Sequence, residues 1–402
     1  MTTPSTGSIS FTQIVNEFGS LKTNSNQTGT DLGAYRVKET VGEMDNLPLD
    51  EGIPQDNNQI SFQDFRGKRL NVIVHYDGTQ ERPDTARSKY DGDTSVTVIG
   101  GGRSRPANSS GTDVTIHVSG TVHGSESHSN LDCSLKTGGW KSGTILNINV
   151  GGEGKIFGAG GDGGKGGRSE NEEGDGLDGE DGSSALGVAY NITELRVQSG
   201  GIISAGGGGG GGGGGARGEG SSSDERVGGA GGGGGVGIPH GIGGLGGTTP
   251  ADALFEAEAY GNVEYQPENG GHGSETDGGN GGHGGANNEG NDDDFSNNEK
   301  SSAQSGGGGG GGAPTSGETG EGGGDYTSYG PGSGRTAAQD GSTSQGGDGG
   351  EADAEGGEQI EGLGGEGGEN GFAIITKSGV VISDTVGNSR IKGATLPNTN
   401  FT

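Results

Sequence analysis

Apolar positions along this chain change rhythm three times, and each rhythm predicts a different element. Near the N-terminus, Ile9-Ser10-Phe11-Thr12-Gln13-Ile14 recurs in outline as Ile60-Ser61-Phe62-Gln63-Asp64-Phe65. Ser10 and Ser61 stand where a helix cap would, with Phe, Gln and an apolar residue in the turn that follows. The first copy runs on through Val15-Asn16-Glu17-Phe18 to Gly19, a C-terminal glycine stop, and the second ends in Arg66-Gly67-Lys68. Residues 1–70 therefore read as a small module with short helices. Its Phe11, Ile14, Phe18, Phe62 and Phe65 either pack on one another or plug the module into a partner.

Over residues 71–204 the rhythm becomes the alternation of strands. Leu70–Val74, Ser95–Ile99, Val114–Val118 and Ile145–Val150 are rich in β-branched residues and bounded by Gly, Asn and Asp. Trp140, the sole tryptophan, precedes one of these strands and is expected in the core. Two short apolar pieces, Lys155-Ile156-Phe157 and Gly201-Ile202-Ile203-Ser204, each lead into glycine tracts.

From 205 to 371 the chain alternates glycine tracts with polar loops, and the longest tract is unbroken from Gly206 to Gly215. Residues 372–402 return to an apolar pattern in Phe372–Ile375 and Val380–Ser383, so the glycine region is held between strands. Glycine loses more backbone freedom on ordering than any other residue. Tracts lying side by side as extended three-residue helices could offset that loss, because their amides and carbonyls all point outward to neighbours. Non-glycine residues within tracts, such as Asp162, Lys165, Asn280 and His283, should then face outward. The expected fold is mainly β with a polyglycine II helical bundle, preceded by the small helical module. The alternative is a flexible glycine-rich linker.

Composition sharpens this picture. Of 402 residues 102 are Gly and only 24% are hydrophobic, too little for one conventional core to order the chain. Eleven prolines and no strict Gly-X-Y period argue against collagen. A net charge of -31 argues against nucleic-acid partners, which require basic residues against phosphate. Cys133 is the only cysteine, so no intrachain disulfide is expected. No segment reads as a membrane span or secretory signal.

The glycine-tract region, roughly 151–371, resembles the tip adhesins of long tail fibres from T-even-like phages, in which stacked polyglycine II helices support variable loops. Separately, Gly7–Phe11, Leu32–Arg36, Leu47–Leu49 and Gln59–Lys68 are similar to N-terminal regions of phage structural proteins, particularly of marine cyanophage-type viruses. These resemblances imply a virion appendage protein whose residues 1–70 meet other virion proteins and whose loops meet a host surface glycan or outer-membrane protein. Tip adhesins usually lack such an N-terminal module, which leaves head or tail placement open. A homo-oligomer, the trimer being common in fibres, is compatible with this reading. The alternative is a purely architectural fibre or decoration protein whose loops bind nothing specific.

Within the loops, Phe255, Tyr260 and Tyr265, then Tyr326 and Tyr329, are the candidate receptor contacts, with Phe295 a lesser one. Rigid aromatics among Ser, Gly and Asn resemble a paratope; otherwise they tuck beneath their own loops. Asp175-Gly176-Leu177-Asp178-Gly179-Glu180-Asp181-Gly182 resembles calcium-binding repeats in part, but the nine-residue period is not sustained. Asp292-Asp293-Asp294 reads as a solvated run. His123, His128 and Cys133 lack zinc-site spacing. No nucleophile elbow, metalloprotease or phosphate-loop motif is present. The expectation is a non-enzyme with no cofactor and no metal.

Overall fold

The computed structural model describes residues 3–18, 32, 59–67, 71–81, 96–99, 113–125, 129–140, 142–168, 174–219, 224–247, 263–265, 267–282, 286–288, 302–304, 309, 311–313, 319–322, 338–342, 345–349, 353–355 and 359–401. Helix is confined there to Phe11–Phe18 and short 3-10 turns such as Phe62–Phe65.

The strands flanking the glycine region wind into one three-faced parallel solenoid. Its first face stacks Asn71–Tyr76, Asp113–Val118, Ile145–Val150, Ile192–Val197 and Ile382–Val386, all parallel. The second stacks Gln80–Glu81, Thr121–His123, Lys155–Phe157, Ile202–Ser204 and Ile391–Lys392. The third stacks Cys133–Lys136, Ser184–Val188, Ile374–Thr376 and Thr395–Leu396. Val96–Ile99 lies antiparallel beside Asn71–Tyr76 at the edge of the first face. From Asp113 onward the described solenoid strands visit the faces in turn, and alternation within them buries one stripe per face. Val114, Leu146 and, one step along, Ile116 and Ile148 stack in register and are buried. Burying each such side chain contributes about 1.5–3 kcal/mol. Trp140 lies in the same core.

The N-terminal module closes the first turn of this solenoid. Ser10 N donates to Gln13 Oε1 at 2.8 Å while Gln13 N donates to Ser10 Oγ at 3.3 Å. Ser61 N likewise donates to Asp64 Oδ2 at 2.6 Å. These matching caps aim Ile14 and Phe65 into the core cluster that holds Tyr76. The final apolar run differs from its sequence expectation. Val380 is taken into a turn, its N donating to Lys377 O at 3.1 Å beside Gly379 at φ +75, and the strand starts only at Ile382.

On the first face, His75, His117 and Asn149 share one register. Asn149 Nδ2 meets His117 Nδ1 at 2.7 Å, and His75 Nε2 meets Ser119 Oγ at 2.6 Å. Burial, aided by neighbouring His75, pushes the His117 pKa down to about 4. Burial lowers that of His75 too, partly opposed by Asp77.

Both glycine-rich excursions leave at one corner, between the second and third faces. The first departs after Phe157 and returns at Ser184; the second departs after Ser204 and returns at Ile374. Their roots are stitched together: Gly158 N donates to Ser204 O, Gly206 N to Ser183 O and Gly371 N to Gly206 O, at 2.8, 2.9 and 2.9 Å.

Candidate functional site

Beyond this corner the chain runs in extended tracts that are neither strand nor helix. Among the described residues, six lead away from the solenoid (158–167, 206–215, 241–247, 278–282, 319–322, 346–349), and six return (174–183, 228–236, 267–273, 309 with 311–313, 338–342, 362–371). Backbone bonds between them repeat every third residue. Gly161, Gly164 and Gly167 donate to Gly207, Gly210 and Gly213 at 2.8–2.9 Å. Gly206, Gly209, Gly212 and Gly215 donate to Ser183, Glu180, Leu177 and Gly174. Tract 206–215 is bonded on all sides, touching 158–167, 174–183, 228–236, 309–313, 346–349 and 362–371. A Cβ at Gly207, Gly208 or Gly209 would overlap the carbonyl oxygen of Gly312, Gly368 or Asp162 respectively. Three successive residues thus face three different neighbours, which is why an interior tract is unbroken glycine.

A peripheral tract lacks neighbours on one side, and there a polar side chain replaces the missing tract. Asp175, Asp178 and Asp181 accept at Oδ1 from the backbone N of Leu363, Glu366 and Glu369, each at 2.8 Å. Asp162, Asn269, Asp340, Asp348 and Asn280 do the same for Ile242, Gly246, Gly322, Gly367 and Glu321. The aspartates that resemble a calcium repeat are therefore engaged with backbone amides. Asp162 is half-buried, Lys165 and Asn280 are exposed, and His283 lies outside the described residues.

Out-and-back alternation sorts the connections by end. At the solenoid end, 237–240, 274–277, 314–318 and 343–345 span three to five residues. The described residues at the far end bracket 168–173, 216–227, 248–266, 283–308, 323–337 and 350–361, segments of six to twenty-six residues. The far end also carries two small antiparallel sheets in contact with each other. One joins Asp224–Val227, Ala216–Glu219 and Gln359–Glu361. The other joins Val263–Tyr265, Ala286–Asn288, Ser302–Gln304 and Asp353–Glu355.

Tyr265 stands on the edge strand of the second sheet, opposite Ala286. Phe255, Tyr260, Phe295, Tyr326 and Tyr329 lie outside the described residues. The described residues that bracket four of them, Gly247 and Val263, then Gly322 and Ala338, belong to the far end. In the N-terminal module Ile14 and Phe65 are fully buried, Phe11 is half-buried and Phe62 is 41% exposed. Phe18 closes the helix, its side chain outside the described residues. Among the described residues no three His, Cys, Asp or Glu are grouped to hold a metal ion, and no helix is long and apolar enough to cross a membrane.

The described residues thus form a parallel β-solenoid joined to a bundle of extended glycine tracts. A family model for the phage tail fibre adhesin Gp38 matches residues 101–304, from ahead of the second solenoid turn to Ser302–Gln304. The chain belongs to that family, a family of structural adhesins rather than enzymes, and is a component of the virion tail fibre. No curated protein and no solved structure matches it.

Proposed function

We propose that the chain is the host-recognising tip of a phage tail fibre, holding its long far-end loops on a bundle of polyglycine II rods. The observation that carries this reading is the sorting of connections, long at one end and short at the other. A spacer needs only short turns at both ends. The three-residue period of bonds between tracts supports the polyglycine II assignment. Tyr265, together with Phe255, Tyr260, Tyr326 and Tyr329 from segments bracketed by described far-end residues, is assigned to contact a host surface glycan or outer-membrane protein. The opposite end joins other virion proteins. Phe62, exposed among the described members of the N-terminal set, is better suited to such a contact than Ile14 and Phe65, whose burial commits them to the core.

The test is competition. Purified full chain should coat host cells and block infection, and a variant with residues 252–265 and 325–330 scrambled should lose both effects while unfolding at the same temperature. Undiminished blocking by that variant would refute the loop assignment. A chain that never binds cells favours the architectural alternative.

A further inference from the structure

Ten aspartates or asparagines of the glycine bundle and its solenoid-end turns are followed directly by glycine. Such pairs are chemically labile, because glycine leaves the next amide nitrogen unshielded and free to turn onto the side-chain carbonyl carbon. Nine of the ten lie in tracts, where the lattice holds both reacting groups. Asp162, Asp175, Asp178, Asp181, Asn269, Asn280, Asp340 and Asp348 commit Oδ1 to an amide of a neighbouring tract. Asn370 Oδ1 accepts likewise from Gly208 N at 2.7 Å. The glycine that follows is committed to the same neighbour. Gly163, Gly176, Gly179, Gly182 and Gly281 donate to the carbonyl of the residue whose amide the preceding side chain holds, each at 2.8 Å. Gly270, Gly341, Gly349 and Gly371 donate to the carbonyl two residues before it, at 2.8–2.9 Å. Parallel neighbours give the first form of this clasp and antiparallel neighbours the second.

Asp277-Gly278 differs. It closes the solenoid-end turn 274–277, and Asp277 is exposed. Its Oδ2 accepts from Thr276 Oγ1 at 2.9 Å and from Ser274 Oγ at 3.4 Å, both within its own turn. Among the described residues Gly278 N donates to no carbonyl. Hydroxyl donors on a carboxyl oxygen stabilise the negative charge that builds there as a nucleophile adds to Cγ.

We propose that the clasp locks the nine tract pairs against ring closure and leaves Asp277-Gly278 as the bundle's site of spontaneous isoaspartate formation. Gly278 N adds to Cγ of Asp277, which reacts as the neutral acid. The amide proton and the Cγ hydroxyl leave as water, and a succinimide closes. Water then adds to the main-chain carbonyl of the ring and breaks its bond to nitrogen, so that Asp277 continues to Gly278 through Cγ. The main chain becomes one methylene longer, in the turn that also ties the bundle to the solenoid through Glu275 and Lys155. Nothing in this chemistry depends on what the far end binds.

Peptide mapping of the full chain, held folded or in denaturant at one pH and temperature, tests it. The incubation lasts until all ten pairs of the denatured chain have converted measurably. Over that time the folded chain should carry isoaspartate at 277. Each tract pair should carry roughly thirty-fold less than its own denatured reference, from two clasp bonds of ordinary net strength. Asp277→Asn should convert in the folded chain too, read as the mass gained when the amide becomes an acid. Thermal unfolding before and after establishes that the folded sample stayed folded. Tract pairs that convert in the folded chain as fast as 277 would overturn the lock. A folded chain unmodified at 277, or a folded Asp277→Asn variant that keeps its amide throughout, would overturn the site.

Discussion

Replacing Gly211 by alanine places a methyl group against the backbone carbonyl of Gly365 in the returning tract 362–371. No rotamer can relieve the contact, because both sides are main chain. The tract must retreat by ~1 Å or more, an overpacking strain of about 1–3 kcal/mol. Retreat also breaks the bonds from Gly365 N to Gly212 O and Gly368 N to Gly209 O, both 2.8 Å. Each is worth about 1 kcal/mol, so the sum is roughly 3–5 kcal/mol. Gly271 is the control. Its added Cβ would find Asn280 N as nearest neighbour, at 3.3 Å. Alanine there should alter stability by no more than about 1 kcal/mol, and the lower entropy of the unfolded chain favours stabilisation. Denaturant unfolding gives both values, and amide exchange should show faster opening of 206–215 only in Gly211→Ala. Equal, small effects from the two variants would refute the close-packed tract lattice.

Three further outcomes follow from the same structure. Asp178→Ala should cost about 0.5–1.5 kcal/mol by removing the acceptor of the Glu366 amide, whereas Asp178→Asn, which keeps an oxygen there, should cost less; denaturant midpoints distinguish them. His117 is held neutral in the fold with its pKa lowered to about 4 from 6.5, so the folded state binds fewer protons than the unfolded one. Its contribution is complete above pH 6.5 and is lost as pH falls from there towards 4; unfolding midpoints at pH 7 and 4.5 should lie closer together in His117→Gln. Phe65→Ala empties the cap of the solenoid and should cost about 3–5 kcal/mol, whereas Phe62→Ala, at a side chain 41% exposed, should cost far less; thermal unfolding reads both.

Much of the scaffold was legible in the sequence because it depends on local pattern. Ser10 and Ser61 read as caps because capping is decided within one turn, and Val114–Val118 and Ile145–Val150 read as strands because alternation is local. The closure of 372–402 onto 71–204 was not legible. Ile382 pairs with Ile192 across 190 residues, and no periodicity reports which face of a sheet a distant strand will join. The aspartate ladder was visible as Asp175, Asp178 and Asp181 at a spacing of three. That spacing suits a repeat that binds a cation as well as one that accepts amides, and only the register of 362–371 decides between them. The candidate aromatics were found by composition alone, and of them only Tyr265 lies among the described residues.

The joint between solenoid and glycine bundle has a mechanical consequence. The chain crosses it at 157–158, 183–184, 204–206 and 371–372, and bonds such as Gly158 N to Ser204 O and Gly206 N to Ser183 O tie these passages side by side. Tension along the bundle axis is therefore shared among parallel tethers and loads their cross-links in shear, so they yield together instead of peeling singly. A pull at the far end would thus reach the solenoid through several backbone passages at once, with no single passage carrying the whole load.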